Sequence, residues 1–146
     1  MVSILADSSV IIAGAGSSTG ASRAVLTLAE LGFLKVVISQ LVLEESQRNI
    51  AKKLPAALPI FTKLLATIQP EIIPDQTLKE CQQWITIIEA KDDPIIAAAL
   101  SAKVNRLLTL NTKDFTAEVA ATTGLIIQTP GNFIQDIRGI ITEGLR

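Results

Sequence analysis

The chain has no histidine and no tyrosine among its 146 residues. Without imidazole there can be no Ser-His-Asp triad, no Cys-His pair, no zinc site with a His ligand and no imidazole general base. The lack of tyrosine removes another usual acid, so chemistry is left to carboxylate, lysine, hydroxyl and bound metal. A single cysteine, Cys81, excludes an intramolecular disulfide; its apolar helical neighbourhood reads as that of a small buried hydrophobe. Aromatics are few: four Phe and Trp84, at helical or strand positions where core packing is the better reading than base stacking. No apolar run approaches the ~20 residues that span a bilayer, and Asp7 interrupts the first one too early for a secretory leader. A soluble, cytoplasmic protein is expected, with no membrane partner. Charge of neither sign dominates: 13 basic against 14 acidic residues give a net charge of −1, with a pI near 5.4. Any nucleic-acid contact must therefore be local.

What is present is apolar and periodic. Hydrophobic residues make up 49% of the chain and mean hydropathy is +0.45, which predicts one well-filled domain over residues 1–146. "VSILAD" reads as a buried strand ending at Asp7 and "LKVVISQ" as another, with a helix "SRAVLTLAELG" between them, closed by Gly32. "LVLEESQRNIAKKL" predicts a helix up to Pro55, "LPIFTKLLATI" a further one up to Pro70, and "PEIIPD" a short extended piece. A helix follows over residues 76–91, then another with Pro94 in its first turn. "NRLLTLN" is strand-like, "FTAEVAATTG" a short helix, "LIIQT" a last strand and "NFIQDIRGIITEGL" a C-terminal helix. Alternating strands and helices predict an α/β fold, a three-layer α/β/α sandwich around a central parallel sheet.

In open parallel sheets, ligands bind beyond the carboxyl ends of the strands, where strand order reverses. The acids fall in such places. Asp7 ends the first strand, Glu44 and Glu45 sit early in the helix after the second, Asp92 and Asp93 open a helix, and Asn111 with Asp114 follow "RLLTL". Oxygen ligands of this kind suit hard cations such as Mg²⁺ or Mn²⁺. Each acid also has a plainer reading. Asp7 can cap a helix starting at Val10, Asp92 and Asp93 can cap the helix at Pro94, and Asp114 one beginning near Phe115. Glu44 can pair with Arg48 at i, i+4. All of them gathering at one sheet edge is what the caps alone leave unexplained.

These residues resemble the PIN-domain ribonucleases, which include the toxins of VapBC-type toxin-antitoxin pairs. The likeness runs through "ILADSSVIIAG", "VVISQLVLEESQRNI", "DDPIIAAALSA", "LLTLNTKDF" and "GLIIQTPGNFI", covering nearly the whole chain. It implies a metal-dependent endoribonuclease that hydrolyses phosphodiesters of single-stranded RNA, using acids that hold one or two Mg²⁺ or Mn²⁺ ions. Carried over residue by residue, the first acid is Asp7, with Ser9 as the hydroxyl that steadies it. The second is Glu45, with Glu44 demoted. The third is Asp93 by spacing back from Asn111, or Asp92 by a variant of Asp, small residue, Pro; both stay open. Asn111 stands where some members have Asp, and Asp114 completes the site, with Thr109 as a hydrogen-bonding hydroxyl in the same loop. The metal would be held by Asp7, Asp93 or Asp92, and Asp114. Arg48, Lys52, Lys53, Lys91 and Lys113 are the phosphate-contact candidates. The resemblance also implies a homodimer and a small antitoxin partner.

Other readings compete. A PIN fold whose activity has weakened could serve as a nucleic-acid or protein-binding module, and Asn111 is the residue that keeps it open. "GAGSSTGAS" superficially matches a dinucleotide loop, which would make this a nucleotide-binding α/β domain using residues 14–20; "VVISQ" lacks the acid such a fold places at its second strand end, so a flexible loop is preferred. A receiver-type domain would need a Lys after the last strand, and "LIIQTPG" has none.

Overall fold

The computed structural model describes residues 1–84, 87–89 and 92–144. Five parallel strands form its centre: β1 (Val2–Ala6), β2 (Leu34–Ser39), β3 (Glu71–Ile73), β4 (Arg106–Leu108) and β5 (Ile127–Gln128). Their order is β3-β2-β1-β4-β5. Val2 pairs with Leu34 on one side of β1 and Ile4 with Arg106 on the other. Ile4, Leu5, Leu107 and Leu108 are wholly buried, as a parallel sheet covered on both faces requires. The chain winds outward from β1 to β3, then returns to the other side for β4 and β5. Strand order thus reverses between β1 and β4, which sets the carboxyl ends of these two strands beside the crevice such sheets use for ligands.

The helices are α1 (Ser8–Gly16), α2 (Ala21–Glu30), α3 (Gln40–Lys53), α4 (Leu58–Ile68), α5 (Leu78–Gln82), α6 (Asp93–Ala102), α7 (Ala117–Thr123) and α8 (Pro130–Gly144). Together with the sheet they make a three-layer α/β/α sandwich, in which α1 to α4 pack on one another, α8 packs on α2, and α5 packs on α6. Local chemistry sets several boundaries. Ser39 caps α3 by accepting from Val42 N–H, Thr116 caps α7, and Gly124 closes it at φ 76°, a conformation costly for residues with a Cβ.

Four expectations change. The helix expected over residues 76–91 is confined to α5, fixed by a capping box between Thr77 and Glu80; the chain turns at Gln83 and Trp84, and residues 85–86 and 90–91 lie outside the described part. The first helix after β1 begins at Ser8 and runs to Gly16, so Gly14 and Gly16 are helical and only residues 17–20 form the connection. A Cβ on Gly14 would overlap the Leu26 side chain: the glycine serves close helix packing, neither a flexible loop nor a phosphate cradle. The helix expected from Phe115 starts at Ala117, because Thr116 supplies the cap. Phe61, Phe115 and Phe133 are core residues, and Trp84 packs against the core. Phe33 is not, being 66% exposed in the turn before β2.

Candidate acidic site at the switch point

Asp7 follows β1 and is only 7% exposed. Its carboxylate accepts from Ser9 N–H, capping α1, and from the Thr109 hydroxyl just past β4. Asp7 is therefore the cap of α1, and its second oxygen is held by Thr109. Ser9 contributes through its backbone here, while its hydroxyl accepts from Leu110 N–H at 3.0 Å. Thr109 Oγ also accepts from Asn111 N–H at 3.0 Å. Asn111 then donates from Nδ2 to Asp114 at 3.0 Å and accepts from Asp114 N–H at 3.2 Å. A continuous hydrogen-bonded path therefore runs from Asp7 through Thr109 and Asn111 to Asp114. Asp114 is held by this loop and caps no helix.

Asp114 meets two further acids. Carboxylate oxygens of Glu89, Asp92 and Asp114 all lie within 4.8 Å of one another. Asp92 occupies the cap position of α6, yet its side chain makes no cap hydrogen bond, so the expected N-cap is not formed. The sequence gives no sign of Glu89, because nothing in the run "WITIIEAK" marks one acid of an expected helix as turning toward a loop twenty-five residues on. Its nearness to Asp92 follows from the tight turn in which Asp92 and Asp93 N–H both donate to the Glu89 carbonyl.

Asp93 goes elsewhere. It is 5% exposed and lines a separate cavity of about 330 Å³ with Asp75, Gln82 and Cys81. Burial raises its carboxyl above the usual value. Cys81 is buried as expected, and its thiol is raised by desolvation first, then by the charges of Asp93, Glu80 and Asp75. Glu45 is half-buried on α3, and among the described residues no hydrogen bond or ion pair joins its carboxylate to the other acids. Glu44 accepts from Gln40 Nε2 at 3.1 Å; the expected pair with Arg48 is not made. Arg48, Lys52, Lys53 and Lys113 are exposed, whereas Lys91 lies outside the described residues.

Among the described residues, the Glu89, Asp92 and Asp114 cluster offers carboxylate oxygens alone. That is the chemistry of Mg²⁺ or Mn²⁺ rather than of zinc or copper. Acids this close repel one another in the absence of a cation, and three of them within 4.8 Å can reach one ion.

The fold is a parallel α/β/α sandwich with Asp7 past β1 and Asp114 past β4 joined through Thr109 and Asn111. A PIN-domain family model matches residues 3–113, and the chain belongs to the PIN-domain family. Among solved structures it is similar to PAE2754 from Pyrobaculum aerophilum, with a TM-score of 0.63, 19% identity, and 92% of this chain and 88% of that one covered. It is likewise similar to VapBC2 from Rickettsia felis bound to a DNA fragment from their promoter, with a TM-score of 0.61, 17% identity, and 88% and 98% covered. No curated protein matches the sequence at a significant level. Among the described residues no helix is long and apolar enough to cross a membrane.

Proposed function

We propose that this chain is a metal-dependent endoribonuclease that hydrolyses single-stranded RNA, and that it acts as the toxin of a toxin-antitoxin pair. The observation that carries the reading is the convergence of Glu89, Asp92 and Asp114, tied by hydrogen bonds to the buried Asp7. In this reading Asp92 rather than Asp93 is the third acid, Asp114 the fourth, and Glu89 an added ligand. A bound Mg²⁺ or Mn²⁺ supplies Lewis-acid chemistry, activating a water and offsetting charge on the phosphate oxygens. The chain's own groups do the positioning. Asp7 is oriented by the Thr109 hydroxyl and Ser9 N–H. Asn111 fixes Asp114 through two hydrogen bonds, which makes it a positioning residue and favours an active site over a decayed one. Arg48, Lys52 and Lys113 are exposed cations able to hold RNA phosphates.

Family membership supports nuclease chemistry, and the shared fold with a VapBC complex supports a small antitoxin partner. Exposed Leu31 and Phe33 in the α2–β2 turn support a protein-covered surface, in keeping with a homodimer. The test is cleavage of an end-labelled, mixed-sequence single-stranded RNA with Mn²⁺, with Mg²⁺ and with EDTA. Native protein is expected to cut only with metal, and Asp7→Asn and Asp92→Asn to lose at least 100-fold in rate. Metal-independent cleavage, or full activity in both variants, would sink the reading.

A further inference from the structure

The cavity beside the acidic cluster has features the proposed hydrolysis does not use. It holds about 330 Å³, at the lower end of the roughly 300–1,000 Å³ typical of small-ligand pockets. Leu41, Leu78 and Pro94 supply apolar walls, and Asp75, Gln82 and Asp93 the polar groups. Asp93 is 95% buried, as its 5% exposure gives, and among the described residues its carboxylate accepts no hydrogen bond. The residue is buried, yet neither of its carboxylate oxygens is sealed off without a partner, so a donor entering the cavity can reach them. Asp75 spends one oxygen on Leu41 N–H at 2.8 Å, which fixes it at the start of α3. Among the described residues no lysine or arginine lines the cavity, so the carboxylates there would repel a phosphate. The cavity asks for a ligand with a flat apolar face and a row of N–H donors.

The geometry points to a nucleobase pocket selective for guanine, serving a nucleotide next to the scissile phosphate; this rests on the ribonuclease reading above. Guanine is the base that presents two adjacent donors, N1–H and N2–H, to one carboxylate, and it carries O6 for an amide donor such as Gln82. Cytosine and adenine each offer one exocyclic amino group, and uracil turns carbonyl oxygens toward the carboxylates and is disfavoured. Single-stranded RNA is read in this way, by splayed bases bonded along their Watson-Crick edges against packed side chains. The backbone joins pocket to cluster directly, since Asp92 in the cluster and Asp93 in the cavity wall are consecutive.

Guanosine, adenosine, cytidine and uridine 5′-monophosphates, titrated in EDTA against ¹⁵N-labelled protein, test this without requiring catalysis. Guanosine monophosphate is expected to bind at least tenfold more tightly than uridine monophosphate and to shift the Leu41 and Gln82 amides. Asp93→Asn should abolish the preference. Gln82→Ala, at an exposed position that leaves the core intact, should weaken guanine binding several-fold. Equal binding of all four, or an unchanged preference in both variants, overturns the pocket, as does an arginine-containing tripeptide that binds the same amides more tightly than guanosine monophosphate. Guanine binding by a protein that never cuts RNA would support the pocket and count against the nuclease reading. RNA cleavage without base preference and without nucleotide binding would do the reverse.

Discussion

Asp7 carries a structural and a functional duty in one side chain, and the two can be separated by substitution. Asp7→Ala removes the α1 cap and strips the buried Thr109 hydroxyl of its acceptor. Losing a cap costs about 1 kcal/mol, and an unpaired buried hydroxyl about as much again. Urea unfolding should show a loss of about 2 kcal/mol for Asp7→Ala and less for Asp7→Asn, which keeps an acceptor for Ser9 N–H. Cys81 gives a pH prediction. Its thiol lies above the ordinary 9.0 because it is desolvated and faces Asp93, Glu80 and Asp75. A raised thiol value means less thiolate at any given pH. Native Cys81 should therefore react with iodoacetamide at pH 8 more slowly than the unfolded chain does. Its contribution to stability is complete below the unfolded thiol value and is lost as pH rises toward the folded one. Comparing native with Cys81→Ala from pH 7 to 10.5 by thermal melts checks that sign; a melting difference independent of pH would refute it.

At the scale of elements, one substitution tests helix packing in two directions. Gly14 in α1 is covered by Leu26 of α2, whereas among the described residues nothing lies within 4 Å of a Cβ on Gly139 in α8. Gly14→Ala should overpack the α1–α2 contact and cost about 1–3 kcal/mol. Gly139→Ala should gain about 1 kcal/mol, because alanine gives up less backbone freedom in a helix than glycine does. Chemical denaturation of both variants reads the contrast, and two changes of the same sign would contradict the packing described. In α1, "GAG" is ambiguous between loop and helix until the neighbouring α2, whose Leu26 needs the space, is in place. The "QTLKECQQWITIIEAK" run shows the opposite case. Helical spacing there is real over Leu78–Gln82, but the chain turns at Gln83 and Trp84, and Glu89 meets Asp92 further on, where Asp92 and Asp93 N–H donate to its carbonyl.

For the whole molecule, metal binding and folding are linked. A cation that binds only the folded cluster stabilises it by mass action, about 2.7 kcal/mol at 100 times its Kd, or about 2–4 °C per kcal/mol in a chain of this size. Melting curves with increasing Mn²⁺ should rise accordingly for native protein and stay flat for Asp92→Asn and Asp114→Asn. A flat native curve would show that the cluster holds no divalent ion.

Much of this was legible in the sequence. Apolar runs bounded by acids and alternating with helical periods were enough to predict a parallel α/β/α sandwich, because burial on both faces and on one helical stripe leaves separate periodic signatures. The placing of acids after strands was legible too, since a carboxylate is tolerated there and disfavoured inside the sheet. Asp7, Asn111 and Asp114 follow from that rule, whereas Thr109 follows only from the resemblance to the PIN-domain family. Which way adjacent acids face was not. Asp92 and Asp93 are chemically alike and one residue apart, so their different surroundings were decided by the turn at Glu89 and the packing of α5 against α6. That turn directs one carboxylate to the cluster and its neighbour into a cavity. Glu89 joined the cluster for the same reason: proximity across twenty-five residues is a property of the folded chain, where backbone hydrogen bonds and side-chain packing choose one orientation that local propensity leaves open.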